Sequence, residues 1–104
     1  RPSSEGYAAA MPNFAVEYTY APEHAALRDE HRPAHRDWLA AGYESGVVRM
    51  AGPFADGTGA WVMVDAADRA GVEDLLAGDP FAEVGAIANV RINEWINVFG
   101  PFGG

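Results

Sequence analysis

The order in which strand-like and helix-like segments follow one another constrains the fold of this chain more than any other feature. A period-two alternation of apolar and polar residues, or a short apolar run bounded by turn residues, predicts strands over Phe14–Tyr20, Val47–Phe54, Ala60–Val64 and Ala86–Phe99. Helical composition predicts helices over Ala25–Glu44 and Ala66–Ala77. The resulting order, βαββαβ, predicts a ferredoxin-like α+β fold in which two helices cover one face of an antiparallel four-stranded sheet.

Four local signals set the expected ends of these elements. Asp68 is placed to cap the second helix, and Gly46 is a natural stop for the first. The sequence 56–59 (DGTG) supplies the flexible residues of a hairpin. Pro33 is expected to break the first helical segment and to lie in the first turn of the main helix, because proline removes a hydrogen bond from a helix interior.

The last predicted strand leaves one sheet face unexplained. Its apolar face carries Ala88, Val90, Ile92, Ile96 and Val98. The other face carries Asn89, Arg91, Asn93, Trp95 and Asn97, which is typical neither of plain solvent exposure nor of a core. Packing against a second copy across a two-fold axis would cover that face, so a homodimer is expected.

Length and composition limit the remaining possibilities. The 104 residues predict one domain over residues 11–104, and residues 1–10 are expected to be an N-terminal extension or a cloning remnant. The chain has no cysteine, which excludes disulfides and thiolate catalysis and favours a cytoplasmic location. A net charge of −8 argues against a nucleic-acid partner. No apolar run approaches the ~20 residues needed to cross a membrane.

Several ordered motifs resemble the YciI-like (YCII-related) family. They are 35–39 (HRDWL, read as His-x-x-Trp-Leu), 46–48 (GVV), 51–54 (AGPF), Gly59, 79–81 (DPF), Gly85 and Trp95. The resemblance implies a ferredoxin-like fold, a dimeric α+β barrel and a His–Asp pair as the active site. That pair corresponds here to His35 and Asp79, and Arg32 matches a recurrent arginine of the family. Characterised relatives include a dehydrochlorinase that acts on a chlorinated hydroxyquinol.

The chemistry of the pair can be argued from the residues themselves. Histidine exchanges a proton near neutral pH, and a carboxylate on one ring nitrogen fixes the tautomer and stabilises the imidazolium. No serine elbow or phosphate-binding glycine loop is present, so a cofactor-independent general acid/base enzyme is predicted, performing elimination, isomerisation or hydrolysis. Its substrate would be a small oxygenated or aromatic metabolite bound in a sheet-lined cavity. The substrate-binding residues are predicted to be Arg32, Gly52, Pro53 and Trp95.

Other interpretations of the same residues remain open. His35 could be a structural hydrogen-bond partner, Asp79 could only cap the turn before Pro80, and Arg32 could be a solvated ion-pair partner. His31 and His35 have the spacing of paired metal ligands, with Glu30 or Asp37 as a third, but Pro33 disturbs that geometry and neither a metal nor a cofactor is predicted. The alternative function is a non-catalytic dimeric module that binds a metabolite or a partner in the same cavity.

Overall fold

The sheet and helices follow the predicted order. The computed structural model describes residues 11–100, so the predictions for residues 1–10 and 101–104 lie outside the described residues. The strands are β1 (Asn13–Thr19), β2 (Val48–Pro53), β3 (Gly59–Asp65) and β4 (Asn89–Trp95). The helices are α1 (Ala25–Ser45), α2 (Arg69–Ala77) and a single turn α3 (Pro80–Glu83), and a 3-10 turn (Pro22–His24) precedes α1. All strand pairs are antiparallel and the sheet order is β2-β3-β1-β4, so the ferredoxin-like α+β fold is confirmed.

The core lies between the sheet and the helices. The alternation in β1 directs Phe14, Val16 and Tyr18 to this side, where all three are buried. Val16 is paired with Val62 of β3 and with Ile92 of β4, so the centre of the sheet presents a continuous row of branched side chains. Both longer helices close over this row, α1 with Trp38 and Leu39 and α2 with Val72 and Leu76.

The expected break at Pro33 is wrong. Helix α1 runs without interruption for 21 residues, and Pro33 lies inside it. The proline is on the exposed side of the helix, where water can hydrate the carbonyl that loses its backbone donor. The predicted stop is confirmed, since Gly46 follows the helix with a φ of 91° and thus in the left-handed region that favours glycine.

The signals at α2 and at the hairpin are also confirmed. Asp68 accepts a hydrogen bond from the Gly71 amide and caps α2. In the hairpin, Asp56 accepts hydrogen bonds from both the amide and the hydroxyl of Thr58, and Gly57 adopts a φ of 78°.

The last strand is much shorter than predicted. It covers only Asn89–Trp95, because β1, its one neighbour among residues 11–100, begins at Asn13, directly opposite Trp95. Within residues 11–100, Ile96 and Val98 therefore have no strand to pair with, and both are about three-quarters exposed (73% and 74%). The predicted apolar face is correct only where β1 supports it.

The sheet face opposite the helices carries large apolar side chains. Trp61, Trp95 and Met50 are between one-third and one-half exposed there, beside the buried Ala15 and Met63. We call this surface the open face. Such a surface fits the expected homodimer, which stays a prediction. Within residues 11–100, no helix is both long and apolar enough to cross a membrane.

Candidate active site

A fully buried carboxylate organises the site. Asp79 is the N-cap of α3, and its Oδ1 accepts a hydrogen bond of 2.9 Å from the Phe81 amide. Its Oδ2 accepts one of 2.8 Å from the Tyr18 hydroxyl. The Nδ1 atom of His35 lies 2.7 Å from Oδ1. An ionised carboxylate only accepts hydrogen bonds, so three donors converge on it and Nδ1 of His35 carries a proton.

The His35 ring is held on two sides. It projects from the middle of α1 and is 7% exposed. Its plane stacks on the Phe81 ring, with centroids 3.9 Å apart and planes 3° from parallel. The pairing with Asp79 and this stacking together fix both the position and the rotation of the imidazole. Nε2 has no hydrogen-bond partner among residues 11–100, and His35 lines a cavity, so this nitrogen is the one available to a ligand.

Tyr18 stays a hydrogen-bond donor under all ordinary conditions. Burial, and then the negative charge of Asp79, raises the pKa of its phenol far above the ordinary value. Its hydroxyl therefore keeps its proton and continues to anchor Oδ2. Sequence reasoning missed this contact, although a tyrosine on the inward face of a strand is a signal, since a buried phenol usually has a polar partner.

The cavity lies between α1 and the edge strand β2. Its volume is about 580 Å³, which is within the range of small-molecule sites. Aliphatic residues of both elements contribute to its wall, and Tyr20 and Phe81 add aromatic surface beside His35. Tyr20 also packs under the buried Arg28, whose guanidinium carbon is 4.4 Å from the ring centroid. Burial, and then the charge of Asp79, raises the pKa of the Tyr20 phenol, so it too is a neutral donor.

The structure brings most of the predicted site residues together. His35, Arg32, Gly52 and Pro53 all line the cavity, and Asp79 lies directly behind His35. Trp95 does not line it, because the register of β4 places this side chain on the open face. Arg32 donates a hydrogen bond to the exposed Asp29, one turn earlier on α1. A Cβ built on Gly52 would meet nothing within 4 Å, so space is left beside this stretch of β2.

Sequence reasoning also missed Tyr20 and Arg36 as cavity residues. Arg36 directly follows His35 on α1, and this adjacency is the sequence signal that could have indicated it. The alternative metal site gains no support from the geometry. His31 Nε2 lies 3.8 Å from Glu30 Oε2, and residues 11–100 contain no group of three His, Cys, Asp or Glu side chains that could hold a metal ion.

Comparisons with known proteins agree with the fold. The model of the family described as the YCII-related domain matches residues 13–96. The chain is similar to a 5-chloro-2-hydroxyhydroquinone dehydrochlorinase (TftG) from Burkholderia phenoliruptrix AC1100, solved in complex with 2,5-dihydroxybenzoquinone. The two sequences are 20% identical, the match covers 81% of this chain and 93% of that one, and the TM-score is 0.72. It is also similar to PA3566 from Pseudomonas aeruginosa, with 16% identity, 90% of this chain and all of that one covered, and a TM-score of 0.59. No curated protein matches the sequence. At such identities the structural likeness establishes the fold.

Proposed function

Since the chain belongs to the YCII-related domain family, we propose that it is a small enzyme in which His35 and Asp79 act together as a general acid and base. The observation that carries the proposal is the orientation of one imidazole. Nδ1 is committed to a buried carboxylate, and Nε2 is left for a molecule in the cavity. This is the arrangement that makes histidine an effective proton acceptor.

The proton moves through Nε2. This nitrogen accepts a proton from an O–H or C–H group of the substrate, and Asp79 stabilises the imidazolium that forms. The electron pair left on the substrate then expels a leaving group, and the imidazolium afterwards releases its proton to water. In an isomerisation the electron pair instead shifts along the molecule, and the imidazolium returns the proton at another atom. A water molecule deprotonated in the same way would give hydrolysis. A base positioned like this contributes about 10²–10⁴-fold to such a step, and proton transfer of this kind requires no cofactor.

Elimination from a small hydroxylated ring is the most specific form of the proposal. The similar dehydrochlorinase is named for the loss of chloride from a hydroxyhydroquinone, and it was solved with a dihydroxybenzoquinone. The cavity here has matching chemistry, with aromatic wall from Tyr20 and Phe81 beside the His35 ring. Arg32 would bind an anionic oxygen of the substrate, and the backbone of Gly52 and Pro53 would form the opposite wall.

The second candidate function is a non-catalytic binding module. The observation that favours it is the near-complete burial of His35 against Phe81, which is also what a purely structural histidine would show. In that case the pair would only join α1 to α3.

The two functions are separated by one substitution and its matched control. His35→Asn keeps a side-chain N–H near the position of Nδ1, and so can still bond to Asp79, but it removes Nε2. His31→Asn makes the same exchange one turn earlier, at a position outside the cavity. Chloride release from 5-chloro-2-hydroxyhydroquinone is measured first, and then proton exchange with D2O for hydroxyquinones that lack a leaving group.

We expect His35→Asn to lower the turnover about 100-fold or more and His31→Asn to change it less than about twofold. Equal turnover in both variants would show that His35 is not the base. Binding of these compounds without turnover in the wild-type protein would instead support the module.

We further propose that the protein acts as a cytoplasmic homodimer joined through the open face. The half-exposed Trp61 and Met50 support the interface, and the absence of cysteine supports the location. Sedimentation of Trp61→Arg tests it: we expect the wild type to be dimeric and this variant to be monomeric. A wild-type monomer would contradict the proposal.

A further inference from the structure

The charge of the cavity wall is opposite to that of the chain. The protein has 15 acidic and 7 basic side chains, all of the latter arginine, and a net charge of −8. Yet Arg32, Arg36 and Arg49 all line the cavity, and none of its lining residues within the described part of the chain is an aspartate or glutamate. Three of the seven arginines of an acidic protein therefore line one cavity.

Two of these three arginines already have acidic partners outside the cavity. Arg32 pairs with Asp29 at 2.6 Å, and Arg49 pairs with Asp65 at 2.9 Å. Arg36 has no ion pair with any side chain of residues 11–100. Among residues 11–100, Arg36 is therefore the one arginine of the wall without a carboxylate partner.

A buried cation lies behind the same wall. Arg28 is 5% exposed, and its Nη1 donates to the carbonyl oxygens of Ala21 and Ala86 rather than to a carboxylate. Its guanidinium covers the Tyr20 ring, which lines the cavity. Burial, and then the charge of Asp79, raises the pKa of Tyr20, while the positive charges of Arg28 and Arg32 act to lower it, so the field of these arginines also reaches the cavity wall.

Two of the cavity arginines lie close to His35, the proposed base, on helix α1. Arg32, His35 and Arg36 lie on one side of α1, within about one helical turn of each other. Beyond them, the wall is mainly apolar, with Leu39, Val48, Pro53 and Val62. A flat apolar ligand with one anionic group would match this arrangement, since its ring would contact the apolar wall while its charge met the arginines.

We propose that the cavity selects one-ring organic monoanions, whose carboxylate or phenolate oxygen binds Arg36 beside Arg32 while the ring lies next to Nε2 of His35. The proposal names the substrate class of the proposed enzyme. It rests on the proposed function only in assuming that the bound anion reacts. Binding itself requires the cavity and its charge, so it can be measured without turnover.

The experiment compares two probes of the same shape. Benzoate carries one negative charge and benzamide carries none, and the affinity of each is measured by calorimetric titration at low and at ~0.15 M ionic strength. Arg36→Gln removes one positive charge from the cavity wall. Arg69→Gln is the matched control, because it removes the same charge from α2, outside the cavity, where Arg69 pairs with Glu73. Ring-proton shifts of His35 locate the bound probe.

We expect benzoate to bind more tightly than benzamide and to shift the His35 resonances. Arg36→Gln should weaken benzoate binding about five- to tenfold without affecting benzamide, and Arg69→Gln should leave both unchanged. Equal affinity for the two probes, equal losses in the two variants, or no binding of benzoate would overturn the proposal. Arg36-dependent binding of benzoate in a protein that turns over no substrate would uphold it and refute only the proposed catalysis.

Discussion

Removal of one hydroxyl group tests the hydrogen-bond network behind His35. In Tyr18→Phe, Oδ2 of Asp79 loses the only donor that it has among residues 11–100, and this oxygen belongs to a fully buried carboxylate. The phenyl ring keeps its place in the core, so the apolar packing changes little. A buried hydrogen bond to a charged group contributes about 1.5–3 kcal/mol. We therefore expect the free energy of unfolding to fall by about 2 kcal/mol, which corresponds to about 10 °C in Tm for a domain of this size.

Thermal and urea unfolding, followed by circular dichroism, measure this loss at neutral pH. Tyr43→Phe is the matched control, because it removes the same hydroxyl from a side chain that is 66% exposed, and its effect should be within about 0.5 kcal/mol. The urea m-value of both variants should equal that of the wild type, since no additional surface is exposed. A Tyr18→Phe protein as stable as the control would show that Asp79 does not depend on this donor. The account of the oriented pair would then be wrong.

Three further predictions concern pH and local packing. Burial, and then a neighbouring carboxylate, raises the pKa of both Tyr18 and Tyr20 above the ordinary 10.0. Above pH 10 the unfolded chain therefore releases protons that the folded chain retains. The stabilisation that these two phenols give below pH 10 is lost as the pH rises above it. Urea unfolding between about pH 9 and 11 should show a smaller loss in Tyr18→Phe than in the wild type, by up to about 1.4 kcal/mol per pH unit, and parallel curves would contradict this. Gly59→Ala would force a Cβ against the carbonyl oxygen of Tyr18, so we expect the free energy of unfolding to fall by about 2 kcal/mol or more. The Cβ of Gly52→Ala enters open space and should lower it by less than about 1 kcal/mol. Similar Tm values for the two variants would refute the close approach at Gly59. Pro33→Ala should restore a backbone hydrogen bond within α1 and raise the free energy of unfolding by about 2 kcal/mol, and an unchanged Tm would show that the helix is not regular there.

The parts of the fold that could be predicted are those set by local chemistry. The alternation around Val16 identifies a strand, the carboxylate of Asp68 meets a free amide in the first turn of α2, and the left-handed conformation at Gly46 requires a glycine. Each signal acts within a few residues. Pro33 shows the limit of this reasoning, because its local preference was overridden once tertiary contacts held both halves of α1 against the sheet.

The parts that could not be predicted depend on contacts between distant segments. The hydroxyl of Tyr18 meets a carboxylate 61 residues away, and no pattern near either residue specifies that pairing. Arg36 lies next to His35 in the sequence, but an arginine on a helix is more often a solvated charge, and only the position of β2 shows that it borders a cavity. Ile96 and Val98 continue the alternation of β4, but the part of the chain that the structure describes offers them no neighbouring strand, so their pattern predicted more strand than is present.

The continuity of α1 fixes the relative positions of the residues that this helix contributes to the cavity. An α-helix rises about 1.5 Å per residue, so the backbone positions of Arg32 and His35 are separated by about 4.5 Å along one stiff axis. A broken helix would have let this spacing vary with the motion of a hinge. In the unbroken helix, the points from which Arg32, His35 and Arg36 project are fixed relative to one another, and only the side chains can move. Ligands of different size would then be accommodated by rotation of the arginine side chains, while the backbone that carries the base stays in place.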